Sequence, residues 1–579
     1  MEHGQFWRNK ELREHIAVMD EKLSPTIVLK NGVYLNIFTK KWIEANIWIY
    51  QDRIIYVGDK LPKNLEGVDV KDCLGQYLVP GYIETHAHPY QLYNPEELSF
   101  HAGKFGTTTL VNDNLGIFNL HNKKKALPVI EVFDKLPISM FWWGRYDSQT
   151  ALRDEEVVYN TKNIFDWLEN PSVVQGGELT AWPELLDGDD RLLYWIQKTN
   201  KLKKPVEGHL PGASEETLTK MKLFGVSADH EPITGEEVFS RLEKGYHVSL
   251  RYSSIRPDLP HILTDLARLG LTHFDDLSFT TDASTPSFIE KGLINICIEE
   301  AIIHGVPLEE AYRMGSYNAA KHLKLDEVLG SIAPGKIANI NVLYDKADPT
   351  PLSVLAKGEW MVKDGYVKPY DNKIDWDDYE AESAVYNWDL SEEDLQFSIP
   401  IGLKLKNDII MNPYPVGADI TVDSLPNTTE DAFLLLLDRY GKWRVNSIIN
   451  GFTTSLGGLA SSYSTTGDIA FIGKNKSDIL LAGKRLKEIG GGIVLVNQGE
   501  IIYELKLELN GTMFIGGMQA LIQKERELNT ILADYGYKYE NPVFNLLFLS
   551  ATHLPYIRIT QQGIYDVKKR ETIVPANMR

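Results

Sequence analysis

Pro80-Gly81-Tyr82-Ile83-Glu84-Thr85-His86-Ala87-His88-Pro89 closes a predicted β-strand on two histidines spaced two residues apart. Side chains alternate across a strand, so His86 and His88 share a face. The same stretch opens a change of pattern. From residue 78 to 328, short apolar runs alternate with amphipathic stretches. The runs that predict strands are Leu78–Glu84, Thr107–Asn112, Pro137–Trp143, Val173–Glu178, Pro205–His209, Val226–His230, His247–Arg251 and Ser278–Asp282. A helix is predicted after each. Strand–helix alternation repeated eight times over roughly 250 residues predicts an α/β fold, a (β/α)8 TIM-like barrel.

The flanks read differently. Residues 1–77 hold a charged helix around Lys10–Lys22 and β-rich runs at Thr26–Tyr34, Ala45–Tyr50 and Arg53–Gly58. The last two are joined by a short turn at Gln51-Asp52. β-rich character returns over 329–370, in Ile340–Leu343 and Glu359–Lys363. The two stretches are expected to form one small β-sandwich domain with the barrel inserted in it. Residues 371–399 are acidic and weakly patterned, with Asp371, Asp375, Asp377, Asp378, Glu380, Glu382, Asp389, Glu392, Glu393 and Asp394, and read as a solvated linker. A C-terminal α+β domain is expected over 400–579. One of its helices is opened by Ser477 and carries Ile479, Ala482, Leu486 and Ile489 on one face.

Composition narrows the function. The chain has 579 residues, 43% of them hydrophobic, which suits folded domains and not disorder. Its formal charge of −20 argues against binding duplex nucleic acid or docking on an anionic membrane. No apolar run reaches the roughly 18 residues of a spanning helix. Cys73 and Cys297 are the only cysteines, too few for a disulfide framework or a thiolate zinc cluster. The opening Met-Glu-His-Gly-Gln-Phe-Trp-Arg carries no signal-like apolar region, so a cytoplasmic location is expected. There is no Gly-x-Ser-x-Gly elbow and no Cys-x-x-Cys, and Gly473-Lys474 lacks the spacing of a phosphate loop.

The other strand ends carry the chemistry. Strand four ends at Glu178, strand five at His209, strand six at His230 and strand eight at Asp282. With His86 and His88, each is a metal-ligand type at the C-terminal mouth, where barrel enzymes hold their active sites. Four of the 14 histidines fall at these positions. Arg251, at the end of strand seven, is a candidate to bind substrate or to pair with a barrel carboxylate. Phe141-Trp142-Trp143 with Arg145-Tyr146 reads first as barrel packing and second as a stacking surface for a flat base. His101, His121, His247, His273 and His304 read as structural or solvent-facing, and Lys123-Lys124-Lys125 as a solvated helix face.

This arrangement resembles the amidohydrolase superfamily, and within it the adenine deaminase family, over nearly the whole chain. The resemblance rests on the His86/His88 pair, the carboxylate on strand four, His209, His230 and Asp282. Gly106-Thr107-Thr108-Thr109, Gly177-Glu178, Gly208-His209 with Pro211-Gly212, Asp229-His230-Glu231, Leu250-Arg251 with Ser254, and Thr281-Asp282 match the family's barrel motifs. Ala460-Ser461-Ser462 and Ile489-Gly490-Gly491-Gly492-Ile493-Val494 match its C-terminal motifs. A Glu on strand four, in place of a carboxylated lysine, is a feature of that family. Other segments differ: Pro89-Tyr90-Gln91-Leu92, Asn112-Asp113-Asn114-Leu115-Gly116, Asp282-Ala283 and Thr465-Thr466-Gly467-Asp468 stand where the family has other motifs.

The resemblance implies two divalent cations held by His86, His88, Glu178, His209, His230 and Asp282, with Glu178 bridging. It implies manganese or iron, and the ligand set also permits zinc. It implies attack by a metal-activated hydroxide, with Asp282 accepting its proton, and Arg251 and Ser254 binding substrate. The expected reaction converts adenine and water to hypoxanthine and ammonia. A purine base or similar heterocycle is the expected small-molecule partner, with no nucleic acid and no membrane, and a homo-oligomer such as a dimer is expected. Two alternatives stand beside it: an amidohydrolase acting on another aminated heterocycle, a cyclic amide or an N-acyl bond, and a metal-binding scaffold without catalysis.

Overall fold

A computed structural model describes residues 7–120, 123–369, 374–376 and 384–579. His121, the side chains of Lys123, Lys124 and Lys125, and Asp371, Asp377, Asp378, Glu380 and Glu382 of the acidic stretch lie outside the described residues.

The barrel is present. Its strands are Tyr82–Ala87, Thr107–Asn112, Ser139–Gly144, Val173–Leu179, Val206–Gly208, Ala228–Asp229, His247–Arg251 and Leu277–Thr280. They form one eight-stranded sheet in sequence order, each pair parallel. Both faces of such a sheet are covered, and Thr107–Asn112 and Val173–Leu179 are buried at every position. Side chains tie the first strand to the last. Thr85 Oγ1 donates to the Phe279 carbonyl at 3.3 Å, and Thr280 Oγ1 donates to the His86 carbonyl at 3.2 Å. Glu84 Oε2 accepts from the Thr281 amide at 2.7 Å.

The first strand differs from its prediction. Tyr77–Pro80 is a separate strand that pairs antiparallel with Ile340–Leu343. Through that pair the two halves of the β-domain join in one nine-stranded set. Gly81 is the hand-over point: a Cβ there would sit 2.1 Å from Thr108 Oγ1, so the chain can pass so close only without a side chain. The barrel strand therefore begins at Tyr82, and His86 lies inside it with His88 just beyond. Strands five and six are also shorter than predicted, which leaves His209 and His230 at the starts of their loops.

The C-terminal region is α+β. A nine-stranded sheet, mostly antiparallel, packs against the helix Lys476–Ile489. That helix is capped by Asn475, not opened by Ser477. Asn475 Oδ1 accepts from the amides of Ser477 at 2.9 Å and Asp478 at 3.1 Å, which takes up amides that the first turn leaves free. Ile479, Ala482, Leu486 and Ile489 form its buried face. Ala384, Tyr386, Trp388, Leu395 and Phe397 bury in the same core. Part of the acidic stretch expected to be solvated linker is therefore domain core. Its alternation of buried 384, 386 and 388 with exposed 385, 387 and 389 is a strand-like pattern that the flanking acids obscure.

The C-terminal domain sits over the barrel mouth. Met513–Phe514 pairs in parallel with Leu92–Tyr93, in the loop after His88. Tyr463 donates to Gln91 Oε1 at 2.9 Å, and Asn94 Nδ2 donates to the Phe514 carbonyl at 2.7 Å. Among the described residues no helix is long and apolar enough to cross a membrane.

Candidate metal centre

The six predicted ligands converge. His86 Nε2 lies 3.8 Å from Asp282 Oδ1, and His88 Nε2 lies 2.9 Å from the same oxygen. Glu178 presents Oε2 to His86 Nε2 at 3.9 Å and Oε1 to His209 Nδ1 at 2.5 Å and His230 Nε2 at 3.6 Å. One carboxylate thus faces two histidine sets. The ligand atoms of His86, His88 and Asp282 lie within 4.8 Å of one another, as do those of Glu178, His209 and His230.

The donor set fits divalent cations. His86 is wholly buried, yet neither of its ring nitrogens has a hydrogen-bond partner. His209 Nδ1 and His230 Nε2 are likewise buried and without hydrogen-bond geometry. Buried polar atoms are ordinarily satisfied, so unpaired nitrogens aimed at shared carboxylates are a ligand arrangement. The carboxylates stand in the ionised form that ligation needs. Burial pushes Glu178 up, but the His209 and Arg145 charges outweigh it and hold the carboxyl well below the usual range. Asp282 is likewise held low, because Arg251 and His88 overcome its burial.

Local backbone aims these groups. Asp282 lies past strand eight with φ of +47°, a left-handed conformation that Asp tolerates better than most residues. Its Oδ1 accepts from the Ala283 amide at 2.6 Å, which fixes the side chain over the mouth. Further carboxylates orient the histidines. His88 Nδ1 meets Asp113 Oδ2 at 3.0 Å, and His230 Nδ1 meets Glu207 Oε1 at 3.0 Å. Such partners set the tautomer and leave the other nitrogen for metal. Trp143 stacks on His86 at 4.4 Å from below.

Several of these groups were not singled out in the sequence. Glu207 was legible, since it is in phase with His209 on strand five. Asp113 reads only as part of a stretch that departs from the family, and Arg145 only beside a candidate stacking surface, so their part here was not legible. Arg145 is fully buried and joins Asp113 through Nε–Oδ1 at 2.7 Å to Glu178 through Nη2–Oε2 at 2.9 Å. Gln149 adds a bond from Nε2 to Glu178 Oε2 at 3.1 Å. Trp142 and Trp143 pack in the barrel, and Arg145 is an electrostatic clamp beside them rather than part of a stacking surface. His247 stacks on His322 at 4.2 Å and bonds Ser278 Oγ at 2.8 Å, a structural role.

Of the two predicted substrate contacts, Arg251 lines the cavity at the mouth. It pairs with Asp282 Oδ2 at 2.9 Å and with Glu231. Arg256 meets the other Glu231 oxygen at 3.0 Å. Ser254 does not line the cavity: its hydroxyl accepts from the Thr285 amide at 2.9 Å, which ties two mouth loops together. The cavity measures about 270 Å³. Its outer wall comes from the C-terminal domain and includes Ile410, Phe548, His553 and Leu554.

The ligand set makes a direct prediction. His209→Ala removes the nitrogen nearest Glu178 Oε1. Metal bound per chain, read by plasma mass spectrometry, is expected to fall by about one ion. Unchanged stoichiometry would mean that His209 is not a ligand.

Comparison with known proteins gives a consistent picture. Residues 77–361 match the amidohydrolase family model, and residues 416–571 match the model for the adenine deaminase C-terminal domain. A protein of Oceanobacillus iheyensis bearing the name "Putative adenine deaminase" is 57% identical over 579 residues, covering 100% of both chains. A Bacillus cereus protein of the same name is 50% identical over 98% of this chain and 97% of its own. An "Adenine deaminase" of Bacillus pumilus is 26% identical over 97% and 98%. Among solved structures, the beta-aspartyl dipeptidase of Fervidobacterium islandicum AW-1 covers 60% of this chain and 99% of its own, at 18% identity and a TM-score of 0.47.

Proposed function

The chain belongs to the adenine deaminase family of amidohydrolases, and from that premise we propose that its barrel mouth deaminates adenine hydrolytically, giving hypoxanthine and ammonia. The observation that carries the reading is Glu178, whose two oxygens face separate histidine sets while Asp282 faces the cavity beside them. His86, His88 and Asp282 would hold one ion, and His209 and His230 the other, with Glu178 between. When bound, divalent ions lower the pKa of water toward neutrality and stabilise negative charge on the reacting atoms.

The chain's own groups do the rest. Asp282 takes the proton released as the water oxygen bonds to C6, and delivers it to N6 as the C6–N6 bond breaks. N6 leaves as ammonia. Arg251 holds Asp282 through Oδ2, keeping the carboxylate ionised and its other oxygen beside His88. Arg145 and Gln149 both hold Glu178 through Oε2. Ile410, Phe548 and Leu554 form an apolar wall that limits water around the base.

Manganese is the metal this reading favours, with iron and zinc as the other candidates that the imidazole and carboxylate set accepts. A cytoplasmic location belongs to the same reading and is supported by two cysteines that are free and buried. So does a homo-oligomer such as a dimer, which sedimentation velocity reads directly. The test of function is ammonia release from adenine by manganese-loaded protein, with the ultraviolet shift to hypoxanthine recorded alongside. Rapid release is expected. No release from protein holding about two metals per chain would remove adenine as substrate.

A further inference from the structure

One group on the cavity's outer wall has no assigned task. His553 packs edge to face on His209, ring centroids 5.4 Å apart at 86°, and on Phe548 at 5.9 Å and 85°. Its Nδ1 is sealed from solvent and has no hydrogen-bond partner. It belongs to none of the groups of described residues whose ligand atoms converge closely enough for a metal. The ring itself lines the cavity, where an imidazole edge can hydrogen-bond a ligand as the apolar Phe548 and Leu554 beside it cannot.

The backbone around His553 is pinned to the barrel. Thr150 bridges Ala551 antiparallel, Thr150 Oγ1 donates to the Ser550 carbonyl at 2.7 Å, and the Thr552 amide donates to the Gln149 carbonyl at 2.8 Å. Gln149 in turn holds Glu178. The imidazole is therefore fixed relative to the barrel mouth by backbone hydrogen bonds, and it faces the same space as Asp282. A site built to hydrogen-bond a ligand nitrogen rejects an analogue that lacks it far more strongly than an apolar wall does.

We propose that His553 is the specificity-determining residue of this site: the C-terminal domain reads the substrate through a hydrogen bond between this imidazole and a ring nitrogen of a flat aminated heterocycle. The proposal rests on the deaminase reading for its substrate class. It assigns the C-terminal domain a direct part in recognition, beyond covering the mouth.

The test is a cycle of residue against ligand atom. Binding of 1-, 3- and 7-deazaadenine to manganese-loaded protein is measured by calorimetry, for the native chain, His553→Ala and His553→Gln. In the native protein one analogue is expected to bind roughly 10- to 100-fold more weakly than the other two. In His553→Ala that difference is expected to shrink to within about threefold, with metal per chain unchanged. His553→Gln, which keeps a donor and an acceptor, is expected to restore part of the discrimination. The same ranking of analogues in all three proteins, or loss of metal from the variants, would overturn the proposal. Ammonia release from adenine is measured beside it on the native chain. Discrimination that depends on His553 without ammonia release would retire the deaminase reading and leave the recognition role standing.

Discussion

Asp282→Asn is expected to lower kcat for adenine by roughly 10²- to 10⁴-fold, the range for losing a positioned general base. The amide cannot take the proton that leaves the attacking water. The substitution is nearly isosteric, and Asn tolerates the φ of +47° that residue 282 adopts. Its Oδ1 can still accept from the Ala283 amide. The contact that weakens is the pair with Arg251, whose guanidinium retains Glu231. Fold should therefore survive while turnover does not. Circular dichroism and metal content of the variant separate the two, since Asp282 is also a proposed ligand. A folded, metal-loaded variant with a rate near that of the native chain would remove Asp282 from its role.

Arg145→Met is expected to cost roughly 3–5 kcal/mol of stability in chelator-treated protein, the range for removing one partner of a buried ion pair. Arg145 is fully buried, and it joins Asp113 to Glu178. Methionine fills much of the volume but leaves two buried carboxylates without their guanidinium, with His88 and His209 as their remaining charged partners. The sign of the pH dependence follows. Burial pushes Asp113 up, but Arg145 and His88 together hold its folded-state pKa below the usual carboxylate value. A group depressed in this way contributes stability above its unfolded pKa and loses it as pH falls through the folded value. The gap between native and variant should be widest near neutrality and narrow below about pH 4, where carboxylates become protonated in the unfolded chain. Urea denaturation at pH 7 and pH 3 reads this directly. An equal gap at both pH values would show that Arg145 stabilises by packing rather than by charge.

The proposed metal ligands were legible because a strand repeats every two residues and a barrel brings the strand ends to one mouth. That periodicity brought His86, His88, Glu178, His209, His230 and Asp282 forward as candidates, and the family resemblance joined them into one set. Strand ends were less legible. Leu78–Glu84 reads as one apolar run, but Tyr77–Pro80 is taken by the β-domain sheet and Gly81 divides the two. Local pattern cannot say which of two sheets will claim a short run. The core role of Tyr386 and Trp388 was hidden in the same way, under the charge of their neighbours.

The chain's own pattern settled the class of fold and pointed to candidate ligand types, because these follow from side-chain periodicity and from residues with few alternative uses, while the family followed from motifs that resemble it. Three-dimensional packing settled which charges meet. Asp113, Arg145 and Glu178 stand on three different strand ends, and only the register of the barrel places Arg145 within 3 Å of both carboxylates. It also settled what lines the cavity. His553 is far from His209 in the chain and reaches its ring only because the C-terminal domain docks on the mouth loops. Contacts of that kind depend on how two separately folded surfaces fit, and no local periodicity carries that information.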